Sequence, residues 1–164
     1  MPHRQTPSGP KHPPDPRTLQ RLDQQLCFAL YSSSLVMTKL YKQALFKLGL
    51  TYPQYLVLLV LWQTDALGVG ELGARLYLDS GTLTPLLKRL ESSGFVNRTR
   101  AAGDERRVLV TLTPAGRALR RKAGGVPMQI ACASGYALTE LSELTAQLQT
   151  LRANVAAHRV PSAA

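Results

Sequence analysis

Leu76-Tyr77-Leu78-Asp79-Ser80-Gly81-Thr82-Leu83-Thr84-Pro85-Leu86-Leu87-Lys88-Arg89-Leu90 is the stretch on which the fold turns. Leu83, Leu86, Leu87 and Leu90 recur at helical spacing, and Leu78-Asp79-Ser80-Gly81 supplies turn and cap chemistry just before them. Upstream, residues 70–77 form a second short amphipathic pattern, so the two make a helix-turn-helix. Pro85 inside the second helix predicts one lost hydrogen bond or a slight kink. Downstream of Gly94, residues 95–100 and 107–112 read as strands, with Val108, Val110 and Leu112 alternating against Arg107, Leu109 and Thr111. Residues 101–105 connect them, and residues 68–70 read as a turn. A hairpin directly after the second helix predicts a winged helix-turn-helix, in a mostly α chain with a small β-hairpin (α+β).

The flanks extend this core. Leu22, Leu26, Leu30, Met37, Leu40, Tyr41, Ala44 and Leu48 recur every three or four residues up to Gly49, which predicts one long helix with room for a bend at Ser32-Ser33-Ser34. Thr51-Tyr52-Pro53-Gln54 fits a capping box with an early proline, and starts the next helix. Thr113-Pro114 starts another, which Gly124-Gly125 and Pro127 interrupt. Leu141, Leu144, Leu148, Leu151 and Val155 mark a last helix with coiled-coil-like spacing. The expected organisation is a disordered Pro-rich tail (1–17), an N-terminal dimerisation and sensor helix (18–50), the winged core (51–113), C-terminal dimerisation helices (114–158) and a short tail (159–164). A core of this size does not need two long amphipathic flanks, so their apolar faces are expected to bury against a second copy of the chain, giving a homodimer.

Composition narrows the function. Among 164 residues, twenty Lys and Arg against ten Asp and Glu give a formal charge of +10, which suits a polyanionic partner, with double-stranded DNA the first candidate. Half of the basic residues lie between Lys88 and Lys122, opposed only by Glu91, Asp104 and Glu105; a merely solvated basic face is the competing reading. The longest apolar run, residues 55–62, falls well short of the roughly 20 residues that cross a bilayer. No membrane partner and a cytoplasmic location are therefore expected. His3, His12 and His158 lie near the ends and neither cysteine belongs to a CxxC, so no metal site is read, and without a phosphate loop no cofactor is expected.

Candidate DNA contacts follow from placement. The helix beginning near Asp79 and Ser80 presents Thr82 and Thr84 at its start and Lys88 and Arg89 farther along, as expected of a helix that approaches phosphates and base edges. The wing carries Arg98, Arg100, Arg106 and Arg107, whose guanidinium groups suit a minor groove or flanking phosphates. Glu71 and Arg75 form an i,i+4 pair with a structural role.

The string from Leu76 to Leu90, with Asp104-Glu105-Arg106 and Leu112-Thr113, resembles the MarR family, and within it the organic-hydroperoxide-sensing OhrR branch, over roughly residues 20–156. The resemblance implies that Cys27 senses peroxide, that Tyr31 and Tyr41 hydrogen-bond it, that Cys132 marks the two-cysteine subgroup, and that Asp104 pairs with Arg106 to hold the wing. On the residues alone, Cys27 among apolar neighbours also fits an inert core thiol, and Cys132 a structural one. Tyr31 lies one helical turn from Cys27 and on its face. Tyr41 is fourteen residues on, ~21 Å along a straight helix, so its contact with Cys27 is expected to cross an antiparallel dimer interface. Hydroxyl donors at sulfur favour the thiolate, the form that attacks peroxide.

The resulting expectation is a repressor, not an enzyme. It binds operator DNA when reduced and leaves when an organic hydroperoxide oxidises Cys27, through a disulfide to Cys132 of the other subunit. Release by a noncovalent aromatic ligand, turnover as a thiol peroxidase, and nonspecific coating of DNA are the competing functions.

Overall fold

The computed structural model describes residues 20–101 and 104–158, with the side chains of 101 and 104–107 left undescribed. The expected tails and the Asp104–Arg106 pair lie outside the described residues and side chains. The described chain divides into two units between Lys39 and Leu40.

In the first unit, a 3-10 turn at Leu22–Gln24 precedes helix α1, Leu26–Leu45, which continues into the second unit. The helix therefore starts four residues later than the periodicity suggests, and it runs unbroken through the three serines. Ser32 fits because its Oγ donates to the carbonyl of Phe28 at 2.7 Å, keeping the hydroxyl within the helix. Leu26, Phe28, Leu30, Leu35, Val36 and Met37 are all exposed. None of the described residues of this unit is buried.

The second unit contains the winged core. After a 3-10 turn at Phe46–Leu48 come α2 (Tyr52–Gln63), β1 (Leu67–Gly68), α3 (Val69–Leu76), α4 (Ser80–Ser92), β2 (Val96–Ala101) and β3 (Asp104–Leu112), then α5 (Pro114–Lys122), α6 (Val126–Ser134) and α7 (Leu138–Ala157). Leu58, Leu61, Leu72, Leu83, Leu87, Leu90, Val96 and Val110 are fully buried at its centre. The cluster also takes Leu45 and Leu50 from before residue 51 and Leu119, Val126 and Ile130 from after residue 113. The apolar run of α2 is spent here: Tyr55, Val57, Leu58 and Leu61 are buried. Among the described residues no single helix is long and apolar enough to cross a membrane.

The sheet differs from the expected hairpin in two ways. It has three strands in the order β1-β3-β2, all antiparallel, because Leu67 and Gly68 pair with Val110 and Leu109. A two-residue strand carries no period to detect, which is why residues 68–70 read as a turn. The hairpin strands also run farther than expected, to Ala101 and from Asp104, taking in most of the supposed connection. Asp104-Glu105-Arg106-Arg107 carries no apolar alternation, so no period in the sequence marks that extension.

Caps fix the elements where the sequence places them. The Thr51 backbone N–H donates to Gln54 Oε1 at 2.8 Å, and Asp79 Oδ1 accepts the Thr82 N–H at 2.8 Å. Helix α4 passes through Pro85 without interruption. Thr113 does two jobs: its Oγ1 accepts the Gly116 N–H at 3.0 Å and donates to the Gly94 carbonyl at 2.6 Å. Thr113→Ala removes both bonds and should cost about 1–2 kcal/mol, measured as a lower urea midpoint with an unchanged m-value. Thr113→Ser should retain most of the stability.

Candidate functional site

Helices α3 and α4 meet at a turn built by close backbone approach. The Leu78 N–H donates to the Gly73 carbonyl at 3.0 Å, and a Cβ on Gly73 would lie 2.7 Å from the Leu78 carbonyl oxygen, so only glycine fits there. Tyr77 takes the left-handed conformation at φ 56°, which costs a non-glycine residue about 1 kcal/mol. Its exposed ring lies under the Arg152 guanidinium, 4.2 Å from carbon to centroid.

The predicted nucleic-acid contacts fall into three groups. Ser80, Lys88 and Arg89 are exposed on α4, with their heads toward solvent. Asp79, Thr82 and Thr84 also serve the helix itself. Both Asp79 oxygens accept from Thr82, from its N–H and its hydroxyl, each at 2.8 Å, and these bonds hold the carboxyl below its usual range. The Thr84 hydroxyl donates to the Ser80 carbonyl at 2.7 Å. Asp79 thus caps the helix, while Thr82 and Thr84 keep acceptor lone pairs. In the wing, Arg100 is exposed, and the side chains of Arg106 and Arg107 are outside the description. The Arg98 guanidinium donates to Glu91 Oε2 at 2.7 and 2.9 Å.

The base of the wing is held by a node that the sequence reading missed. Asp65 Oδ1 accepts from the N–H groups of Ala66 at 2.8 Å and Leu112 at 2.9 Å, and Oδ2 pairs with Arg117. One carboxylate so joins the α2–β1 loop, the end of β3 and α5. A neighbouring cleft of about 340 Å³ is lined by Trp62, Leu112, Arg117 and Arg120 among others. Arg120 donates to the Trp62 carbonyl at 3.1 Å, so both cations there have protein partners.

The predicted redox residues are distributed over both units. Cys27 and Cys132 are exposed free thiols, which removes the inert-core reading for each within this chain. Tyr31 is 62% exposed. Tyr41 is half-buried, and its ring stacks on Tyr52 at 4.1 Å and approaches Tyr55 at 6.1 Å. Burial first, then the neighbouring Tyr52 and Tyr55, push the Tyr41 hydroxyl up to about 12. It therefore stays protonated, and a donor, throughout the physiological range. The sequence reading used Tyr52 only as part of a cap; Tyr52 is a second aromatic, also raised by burial, that fixes the Tyr41 ring.

A capped second helix, a preceding helix packed across a tight turn, and a three-stranded wing define a winged helix-turn-helix transcriptional regulator. Residues 39–122 match the family model described as transcriptional regulator SarA/Rot. The organic hydroperoxide resistance transcriptional regulator of Bacillus subtilis (strain 168) is 50% identical over 131 residues, 80% of this chain and 89% of that protein. Among solved structures, reduced AbfR bound to DNA has a TM-score of 0.73 at 36% identity, covering 85% of this chain and 95% of its own; AbfR is a protein of Staphylococcus epidermidis. Wild-type MarR from E. coli has a TM-score of 0.61 at 26% identity, covering 77% and 96%. The chain belongs to the MarR family of transcriptional regulators, on its organic-hydroperoxide-regulator branch.

Proposed function

We propose that this protein is a homodimeric repressor that holds operator DNA while Cys27 is reduced and leaves it after an organic hydroperoxide oxidises Cys27. The observation that carries the reading is an exposed Cys27 thiol, one helical turn from Tyr31, in a chain half identical to an organic hydroperoxide resistance regulator. The chemistry balances without a cofactor. The Cys27 thiolate attacks the terminal peroxide oxygen, the O–O bond breaks, the sulfur becomes a sulfenic acid, and the departing alkoxide takes a proton from water to leave as the alcohol. Condensation with the Cys132 thiol then forms a disulfide and releases water.

Dimerisation is supported by apolar surface left exposed among the described residues. Leu26, Leu30 and Val36 on α1 and Leu144, Leu148 and Val155 on α7 are each more than a third exposed, as expected of helices that pack against a second copy. The placement of Tyr41 fourteen residues beyond Cys27, ~21 Å of helix, favours a sensor completed by the other subunit, and the family likeness supports a disulfide from Cys27 to the partner's Cys132. The Ser80, Thr82, Thr84, Lys88 and Arg89 set on α4 and the wing arginines Arg100, Arg106 and Arg107 are the proposed DNA contacts.

AbfR offers a guide to which oxidised form matters, since it is known overoxidised on DNA and, separately, in a disulfide form. For this chain the disulfide is accordingly the releasing state. Operator binding should be measured before and after stoichiometric cumene hydroperoxide, with mass spectrometry of both cysteines and nonreducing gels. Wild type should leave DNA and run as a covalent dimer. Cys132→Ser should carry a persistent sulfenic acid at Cys27 after one equivalent and climb to sulfinate with a second, stay monomeric on the gel, and remain bound. Oxidised wild type that runs as a monomer with an internal Cys27–Cys132 bond would refute the crossed arrangement. Release with no change of mass at Cys27 would refute redox sensing.

A further inference from the structure

The register of the wing places a cation on the wrong side of the sheet for a DNA contact. Arg98 lies directly opposite Val110 and two residues after Val96, so it shares the face of two residues that are 0% and 1% exposed. A guanidinium there must find an anion or leave a charge half-buried. It finds Glu91, in the last turn of α4. Glu91 Oε2 accepts from Arg98 Nη2 at 2.7 Å and Nε at 2.9 Å, and Oε1 accepts the Arg98 backbone N–H at 3.1 Å. One carboxylate therefore grips both the head and the main chain of the same wing residue.

The path between them is short and already tied. The Gly94 N–H donates to the Glu91 carbonyl at 2.8 Å and the Phe95 N–H to the Leu90 carbonyl at 3.0 Å, so the end of α4 and the start of β2 are joined by backbone alone. The Glu91–Arg98 pair adds a second attachment farther up the wing. With both oxygens engaged and its side chain only 24% exposed, Arg98 has its charge neutralised before any polyanion arrives.

We infer that Glu91 is a positioning residue for sequence-specific DNA binding: by clasping Arg98 it fixes the wing's angle to the reading helix and withholds that guanidinium from DNA phosphates. The inference rests on the proposed DNA-binding function and revises the role expected of Arg98 from phosphate contact to clasp. Its consequence is a division of labour. The clasp raises the ratio of specific to nonspecific binding, because a mobile wing with an extra free cation binds any duplex.

The test uses the full-length reduced protein, a duplex selected by the wild type from a random library, and a random duplex, over a range of salt. Glu91→Gln keeps the shape and removes the charge. It should bind the random duplex with a salt slope steeper by about 0.9 per protomer, as one more phosphate is neutralised, while the selected-to-random affinity ratio falls on the order of tenfold. Arg98→Gln should also lower the ratio yet leave both salt slopes unchanged, since Arg98 touches no phosphate. Glu91→Arg combined with Arg98→Glu should recover much of the ratio. A slope that becomes shallower by about 0.9 per protomer in Arg98→Gln would overturn the inference, as would an unchanged ratio in Glu91→Gln. The slopes on random duplex judge the clasp separately from the repressor reading: a wild type with no selected sequence would count against the latter alone.

Discussion

Cys27→Ser protein is expected to bind operator DNA as the wild type does and to stay bound after cumene hydroperoxide, whereas the wild type should lose at least about a hundredfold in affinity, ~2.7 kcal/mol. A serine hydroxyl is not appreciably ionised near neutral pH and is a poor nucleophile toward a peroxide, so the first step of the switch is removed outright. Retained binding is expected because serine nearly matches cysteine in size and Cys27 lies in sequence well outside the helix-turn-helix, residues 69–92. Fluorescence anisotropy of a labelled operator, with and without oxidant, gives both quantities in one titration. Release of the serine variant by hydroperoxide would sink the mechanism, and weak binding before oxidant would place Cys27 in the fold rather than the switch.

Gly116→Ala should be the most damaging alanine substitution among the described glycines. A Cβ at that position would sit 2.0 Å from the Phe95 carbonyl oxygen, 3.0 Å from its carbon and 3.2 Å from a Leu112 methyl. The Phe95 oxygen cannot rotate away, because it is backbone and accepts the Thr113 N–H at 3.0 Å. Relief requires moving the first turn of α5 off the sheet, which also breaks the bond from the Trp62 indole N–H to the Gly116 carbonyl at 2.9 Å. Overpacking usually costs 1–3 kcal/mol, and a rigid neighbour with two linked hydrogen bonds puts this case at or above about 3 kcal/mol. That is a large share of an ordinary domain's stability. Trp62 is the only tryptophan, so its fluorescence follows urea unfolding at the affected contact. Gly70→Ala is the contrast: an added Cβ meets nothing within 4 Å, and helix propensity should make that variant slightly more stable. A loss below about 1 kcal/mol in Gly116→Ala would mean that the first turn of α5 does not approach the Phe95 carbonyl as described.

These expectations separate features that are local in sequence from those that are not. The helix-turn-helix was legible because its signals lie within a few residues of one another: Asp79 caps Thr82, the α4 leucines repeat at helical spacing, and Val110 and Leu112 alternate out of phase with Leu109 and Thr111. Capping and periodicity are properties of neighbouring residues, and neighbours hold their relation in any fold that forms the element. Cys27 and Tyr31 share a helix face for the same reason. The strand parity even contained the position of Arg98, two residues from Val96, although an arginine in a basic hairpin was read by its charge.

The tertiary structure decided which groups meet. Glu91 reaches Arg98 across a turn, Asp65 gathers Leu112 and Arg117 from about fifty residues away, Tyr52 stacks on Tyr41, and Leu67 finds Val110. No period in the chain specifies these pairs, because each depends on how the loops close and which charges burial forces to find a partner. A half-buried cation must be matched wherever the sheet turns it inward. In this protein that necessity, rather than any motif, turned one expected DNA contact into a clasp.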